Sequence, residues 1–155
     1  MRYISMGGTN VECVFCAALA AGDDARTLVV HRGRLAFLIL NAYPYASGHL
    51  MAALNRHGAS LADATSPELT EAMELTQRAI RVLRATYRAD GFNVGVNEGK
   101  VAGAGVADHL HIHVVPRWDG DANFMPVIGK TKVLPETLPT TFERLRAALA
   151  GSHSS

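Results

Sequence analysis

His109-Leu110-His111-Ile112-His113-Val114-Val115 places three of the chain's seven histidines at every second position, with apolar residues between them. A β-strand sends successive side chains to opposite faces, so the pattern predicts a strand with all three imidazoles on one wall. Leu110, Ile112 and Val114 then face the other way, into a core. Imidazole titrates near neutral pH and is both a nucleophile and a metal ligand, so this wall is where chemistry is expected. Three rings buried as inert core would each need a polar partner, which disfavours a merely structural reading.

At 155 residues and 16.6 kDa the chain suits one domain, expected over residues 1–150. Its 48% hydrophobic and 19% charged content can fill a sizeable core. A net charge of +1 argues against a surface that coats nucleic acid, whereas a small phosphorylated ligand needs only a few placed donors. No apolar run approaches the roughly 18 residues of a membrane span, and residues 1–10 lack a signal-peptide pattern. A cytoplasmic setting without a membrane partner is therefore expected. Cys13 and Cys16 supply no disulfide framework and suit a reducing compartment. Residues 151–155 read as a disordered or vector-derived tail.

Along the chain, residues 17–21 suit a short helix ending at Gly22. Residues 28–31 and 35–40 read as strands around the turn Arg32-Gly33-Arg34, and residues 41–48 as a loop marked by Pro44 and Gly48. Residues 49–54 read as a third strand, although alanine is a poor strand former. The clearest helix is expected over residues 66–89, with Ser66 as cap, Pro67 in its first turn and Gly91 just beyond its end. Leu69, Met73, Thr76, Ile80, Leu83 and Tyr87 recur at helical spacing and predict its buried stripe. Arg78, Arg81, Arg84 and Arg88 form a basic edge, expected to be a solvated face more than a phosphate contact.

Residues 92–97 read as a fourth strand, residues 99–105 as a glycine-rich loop, and Pro116-Arg117 as the end of the histidine strand. A last helix is expected near Thr140, where Thr140-Thr141-Phe142-Glu143 has capping-box spacing. Strands flanking a long helix, joined mostly by short turns, predict an α+β domain on an antiparallel sheet.

Two chemistries fit the histidine strand. Alternate strand residues lie roughly 6.5–7 Å apart, so one imidazole can attack while its neighbours contact phosphate oxygens. Alternatively, His109, His111 and His113 form one catalytic zinc site. Cys13-Val14-Phe15-Cys16 is half of many tetrahedral zinc sites, but no second such pair follows, so any further ligands must be histidines. Two buried free thiols is the plainer reading of that segment. His49 and His57, eight apart, have little meaning alone, and His31 is expected to be structural.

The segment His109 to Arg117, preceded by Gly48-His49-Leu50-Met51 and by Cys13-Val14-Phe15-Cys16, resembles the histidine-triad family. The stretch from Trp118 to Leu138, with Gly120-Asp121-Ala122-Asn123-Phe124-Met125, is further similar to that family's diadenosine tetraphosphate phosphorylase branch. The resemblance implies a five-stranded antiparallel sheet with two main helices, paired as a homodimer. It implies that His111 attacks an α-phosphorus to form a nucleotidyl-histidine, with His113 and His49 contacting phosphate oxygens. Asn41 would face the ribose and Asn97 the bridging phosphates. In zinc-bearing members, the positions matching Cys13, Cys16, His57 and His109 hold the metal. Two thiolates and two neutral imidazoles would close a zinc tetrahedron and leave His111 and His113 free of metal.

One departure bears on substrate handling. Hydrolytic members of the family commonly carry Gly-Gln-Ser/Thr-Val before the first histidine, whereas this chain has Ala102-Gly103-Ala104-Gly105-Val106-Ala107-Asp108. Backbone N–H groups around Gly105 are then the donors expected at the phosphates. Trp118 is placed with the substrate-binding residues, and the Trp-Pro pair of the phosphoramidase branch is absent. The expected function is cleavage of a dinucleoside polyphosphate through a nucleotidyl-histidine that phosphate or water resolves. A nucleoside phosphoramidase, a catalytic-zinc hydrolase and a catalytically weak nucleotide-binding module are the alternatives.

Overall fold

The computed structural model describes residues 13–122 and 134–152. Its strands are β1 (Val29–Arg32), β2 (Ala36–Leu40), β3 (Leu50–Leu54), β4 (Gly91–Gly95) and β5 (His111–Arg117). They form one sheet in the order β1-β2-β3-β5-β4, each neighbouring pair antiparallel. The helices are α1 (Val14–Ala20), α2 (Asp24–Thr27), α3 (Ser66–Tyr87) and α4 (Leu138–Gly151). None is long and apolar enough to cross a membrane.

Register sorts the side chains. Leu38, Ala52 and Ile112 lie side by side across β2, β3 and β5, as do Leu40, Leu50 and Val114. These residues pack under α3 and α4 with Leu75, Leu83, Phe142, Leu145 and Leu149, forming the larger core. On the opposite face the register brings Phe37, Ala53 and His111 into one row and Ile39, Met51 and His113 into the next. A smaller apolar cluster of Phe15, Ala18, Phe37, Ile39, Met51 and Ala53 forms there beneath α1. The alternation of β5 therefore separates a helix-covered core from a face carrying the histidines. β5 is assigned from His111, two residues later than expected, although Leu110 still pairs with the end of β3 through the Leu54 N–H.

The α3 cap is Thr65 instead of Ser66. Thr65 Oγ1 accepts from the Glu68 N–H while Glu68 Oε2 accepts from the Thr65 N–H at 2.8 Å, a reciprocal capping box. Glu68 is buried and also accepts from Arg56 Nε and Nη2 at 2.8 and 3.0 Å. The Arg56 hydrogen bonds, followed by the Thr65 N–H, hold its carboxyl down at about 2. The buried face of α3 is Glu68, Ala72, Leu75, Thr76, Ala79, Val82 and Leu83. Of the expected stripe, Thr76 and Leu83 are buried, Leu69, Ile80 and Tyr87 flank the core, and Met73 is 49% exposed. Ranking by side-chain size misses a face built around alanines, which let a helix sit close to a sheet.

The basic edge is partly structural. Arg78 donates from Nε to Ser152 Oγ and from Nη2 to Leu149 O, tying α3 to the end of α4, and Arg84 lies over the Phe92 ring. α4 is capped by Thr137, which accepts from the Thr140 N–H, so Thr140 lies inside the first turn. The helix runs to Gly151, and Ser152 caps it. Residues 153–155 lie outside the described part.

The two candidate caps separate in a mutational test. Thr65→Ala is expected to cost about 0.5–2 kcal/mol and Ser66→Ala close to nothing, measured by urea unfolding. Equal losses would contradict the capping assignment.

Candidate active site and metal centre

Cys13, at the N-terminal boundary of α1, and Cys16 within it point toward the turn after β3 and the entrance to β5. There Cys13 Sγ lies 3.2 Å and Cys16 Sγ 3.6 Å from His109 Nδ1, and Cys16 Sγ lies 3.5 Å from His57 Nδ1. The four donor atoms all fall within 4.8 Å of one another. In a zinc tetrahedron with ordinary Zn–S and Zn–N lengths, sulfur and nitrogen are separated by roughly 3.5 Å, so the set fits that ion in both chemistry and spacing. His109 Nε2–H donates to Leu54 O at 2.7 Å, which leaves Nδ1, the atom facing the thiols, with its lone pair. Burial holds the pKa of His109 below its ordinary value and favours the neutral ligand form. Asp108 Oδ2 lies 3.9 Å from His57 Nε2, behind the other ring.

Among the described residues this is the one cluster with a metal-ligand arrangement of three or more such donors. The catalytic-zinc alternative, with His109, His111 and His113 around one ion, is not what the strand builds. Alternation places the three rings on one face, yet each ring turns its nitrogens toward a different partner.

Those partners fix the tautomers. His111 Nδ1–H donates to His109 O at 2.7 Å, so Nε2 keeps its lone pair. His49 Nδ1 accepts from the Tyr45 N–H at 3.1 Å, so its proton sits on Nε2 and is donated to His113 Nδ1 at 3.0 Å. His113 Nε2 then carries a hydrogen. Two adjacent imidazoles thus present opposite characters, an acceptor nitrogen at 111 and a donor at 113.

Burial, and then proximity to His111, pushes the pKa of His113 down to about 4, and burial lowers that of His111 as well. Both rings are neutral at pH 7. Phe15 packs against His109 and His111 with centroids 5.1 and 4.9 Å away.

His49 is 0% exposed and lies behind His113, lining neither cavity of the site. Its ring is occupied in holding His113. The turn that delivers it needs Gly48. At φ +84°, a Cβ there would stand 2.7 Å from Leu83 Cδ2.

Two cavities meet at the histidine wall. One, of about 900 Å³, runs over Phe15, Leu28, Ile39 and Asn41 to His111 and the Gly105 loop. The other, of about 1030 Å³, contains Trp118, Arg117, Asn93 and Tyr87. Tyr45, Asn97 and His113 line both. The expected substrate residues are thus divided: Asn41 and Gly105 lie with His111, Trp118 lies across the divide, and Asn97 and His113 lie on it. Asn123-Phe124-Met125 of the expected motif fall outside the described residues.

Sequence reasoning gave no role to Tyr45, although its N–H sets the His49 tautomer and its ring stacks on His49 at 5.1 Å. A tyrosine in a Pro-bearing loop four residues before a histidine was the available signal.

Residues 23–120 match the HIT domain. The chain belongs to the HIT family. It is 52% identical over 119 residues to the AP-4-A phosphorylase of Mycobacterium tuberculosis strain H37Rv, a match covering 77% of this chain and 61% of that protein. The chain thus spans about three fifths of that relative. It is also 33% identical over 110 residues to the adenosine 5'-monophosphoramidase HNT1 of Saccharomyces cerevisiae, covering 71% of this chain and 65% of that one. A crystal structure of a Zn-bound histidine triad family protein from Mycobacterium smegmatis superposes with a TM-score of 0.74 at 30% identity, covering 90% of this chain and 94% of the other.

The site's electrostatics predict a pH signature. An unfolded histidine protonates near 6.5, whereas folded His113 resists protonation down to about 4. Its contribution to stability is therefore full above pH 6.5 and is lost as pH falls from 6.5 toward 4. A ring-proton NMR titration is expected to place the His113 midpoint near the lower value. A midpoint at 6.5 would contradict the buried, neutral ring.

Proposed function

We propose that this chain cleaves dinucleoside polyphosphates, such as diadenosine tetraphosphate, by nucleotidyl transfer through His111. The observation that carries the reading is the hydrogen bond from His111 Nδ1–H to His109 O, which commits that nitrogen and leaves Nε2 as a nucleophile in a nucleotide-sized cavity. Nε2 attacks the α-phosphorus, forming a P–N bond as the bond to the bridging oxygen breaks. His113 Nε2–H lies beside it as a donor to the phosphate oxygens, where charge accumulates in the transition state. His49 and the Tyr45 N–H keep that proton on the outward nitrogen. Asn41 meets the ribose, Asn97 the bridging phosphates, and the backbone around Gly105 the non-bridging oxygens.

Inorganic phosphate then attacks the nucleotidyl-histidine, releasing a nucleoside diphosphate and restoring His111. Phosphate is the preferred acceptor because the 52% identical relative is an AP-4-A phosphorylase.

Cys13, Cys16, His57 and His109 would hold a structural zinc. Bound there, the ion supplies a crosslink between α1 and the entrance to β5, with no open coordination position for chemistry. His109 then has two structural tasks, its ring toward the thiols and its carbonyl toward His111. A reducing, cytoplasmic setting suits the two thiols. The chain is read as a homodimer, for which β4, one of the sheet's two edge strands and with Val94 44% exposed, offers an unpaired side.

His111→Ala is expected to lower kcat/KM by on the order of 10³-fold or more, and to abolish an adenylylated species seen by intact mass in the native protein. Retained turnover would remove His111 from its role. With phosphate present, diadenosine tetraphosphate should give ADP and ATP, whereas AMP and ATP would identify water as the acceptor.

Cys13→Ser is expected to abolish stoichiometric zinc and lower Tm by several degrees, with a smaller effect on the single-turnover rate. A rate that collapses on chelation while Tm holds would point to a catalytic ion.

A further inference from the structure

The phosphates of a dinucleoside polyphosphate carry several negative charges, yet the groups assigned to them above are all uncharged. His111 and His113 each bear a single ring proton, as their hydrogen bonds to His109 O and from His49 dictate. Asn97 and the backbone around Gly105 contribute dipoles only. When the bond from the α-phosphorus to its bridging oxygen breaks, further charge collects on the departing phosphates. A cation aimed at that position stabilises it more than a neutral donor does.

The cavity of about 900 Å³ that contains His111 supplies such a cation and keeps anions out. No carboxylate occurs among its described lining residues, and its two positively charged side chains are Arg26 and Lys100. Arg26 stands two residues before Leu28, at the nucleoside end, and faces Asp23 with Nε 3.7 Å from Oδ2. Lys100 lines the other end, with Asn97, Gly103, Gly105 and the two histidines. Its ammonium has neither an ion pair nor a hydrogen bond among the described residues. The nearest acid in the chain, Glu98, accepts from Ser60 Oγ at 2.8 Å and from the Leu61 N–H at 3.0 Å, and lines neither cavity.

Lys100 is presented on a turn of fixed shape. Gly99 and Gly103, at φ +86° and +90°, bracket the 3-10 turn Lys100–Ala102. The Ala102 and Gly103 N–H groups donate to Gly99 O and Lys100 O at 3.2 and 3.1 Å. Those φ values favour glycine, and the turn is held by backbone bonds, so it does not depend on the side chain at 100. Lys100 is exposed and Val101 beside it is fully exposed, which keeps the lysine stem out of the packed core.

We propose that Lys100 is the cation of the reaction, its ammonium pairing with the phosphates beyond the α-phosphorus and stabilising them as they depart. The proposal rests on cleavage through His111 and adds the group that balances the leaving charge. Lys100 transfers no proton. It acts by charge, so arginine can replace it and glutamine cannot. It also gives a charged donor to a loop that lacks the amide and hydroxyl common in hydrolytic members of the family.

The test uses two substrates with the same α-phosphate. Diadenosine tetraphosphate expels a nucleotide, whereas adenosine 5'-(p-nitrophenyl phosphate) expels p-nitrophenolate and has no further phosphate. The ratio of kcat/KM for the first to that for the second is expected to fall roughly tenfold or more in Lys100→Gln and to stay within about threefold of native in Lys100→Arg. Added salt should lower the ratio in the native protein and in Lys100→Arg more than in Lys100→Gln. A ratio unmoved by Lys100→Gln, or an arginine variant that falls as far as the glutamine one, would overturn the proposal.

Binding gives a second readout. In His111→Asn, which cannot form the nucleotidyl-histidine, adding Lys100→Gln should weaken calorimetric binding of diadenosine tetraphosphate several-fold more than binding of AMP. Equal weakening of the two would remove Lys100 from the outer phosphates. If the native protein turns over neither substrate and forms no adenylylated species, the function assigned to His111 falls, and the role of Lys100 with it.

Discussion

The hydrogen bond from His111 Nδ1–H to the carbonyl of His109 is the contact on which the site depends. An imidazole in water exchanges its proton between two nitrogens, and only one of the resulting tautomers presents a lone pair at Nε2. A carbonyl two residues back on the same strand removes that ambiguity, since a carbonyl only accepts. The contact is secured by the register of β5, where Ile112 and Val114 are locked against Ala52 and Leu50 beneath the helices. Slipping the strand by one residue would turn every histidine into the core.

His109 joins this arrangement to the cluster of Cys13, Cys16 and His57. Its ring faces two thiols while its backbone receives the neighbouring imidazole, so whatever holds the ring also holds the acceptor for His111. Phe15, two residues after Cys13, packs on both rings and makes the Cys-Val-Phe-Cys segment a clamp over the first two histidines. His113 is held independently, through His49 and the Tyr45 N–H. A proton acceptor and a proton donor therefore stand side by side with neither ring charged, because desolvation disfavours the imidazolium at both.

Much of this could be read from the chain. Period-two alternation gave the histidine wall, its strand and the face it turns away from, since side-chain direction in a strand follows from geometry alone. The grouping of Cys13, Cys16, His57 and His109 needed the family resemblance, because nothing local links residues about a hundred positions apart. The α3 face was misjudged where alanines, and not the larger Met73, meet the sheet, and the long-helix caps fell on Thr65 and Thr137, one and three residues before the expected positions. His49 behind His113, the role of Tyr45 and the division into two cavities were not legible. They depend on how the loop before β3, the β4 edge and the end of β5 meet in space, and no single segment encodes that meeting.

The central claim is a set of proton positions, and long-range ¹H–¹⁵N correlation of the ring nitrogens in the native protein at neutral pH reads them directly. The account predicts His111 protonated on Nδ1 with a bare Nε2, and His49 and His113 both protonated on Nε2. A His111 ring carrying its hydrogen on Nε2 would contradict it.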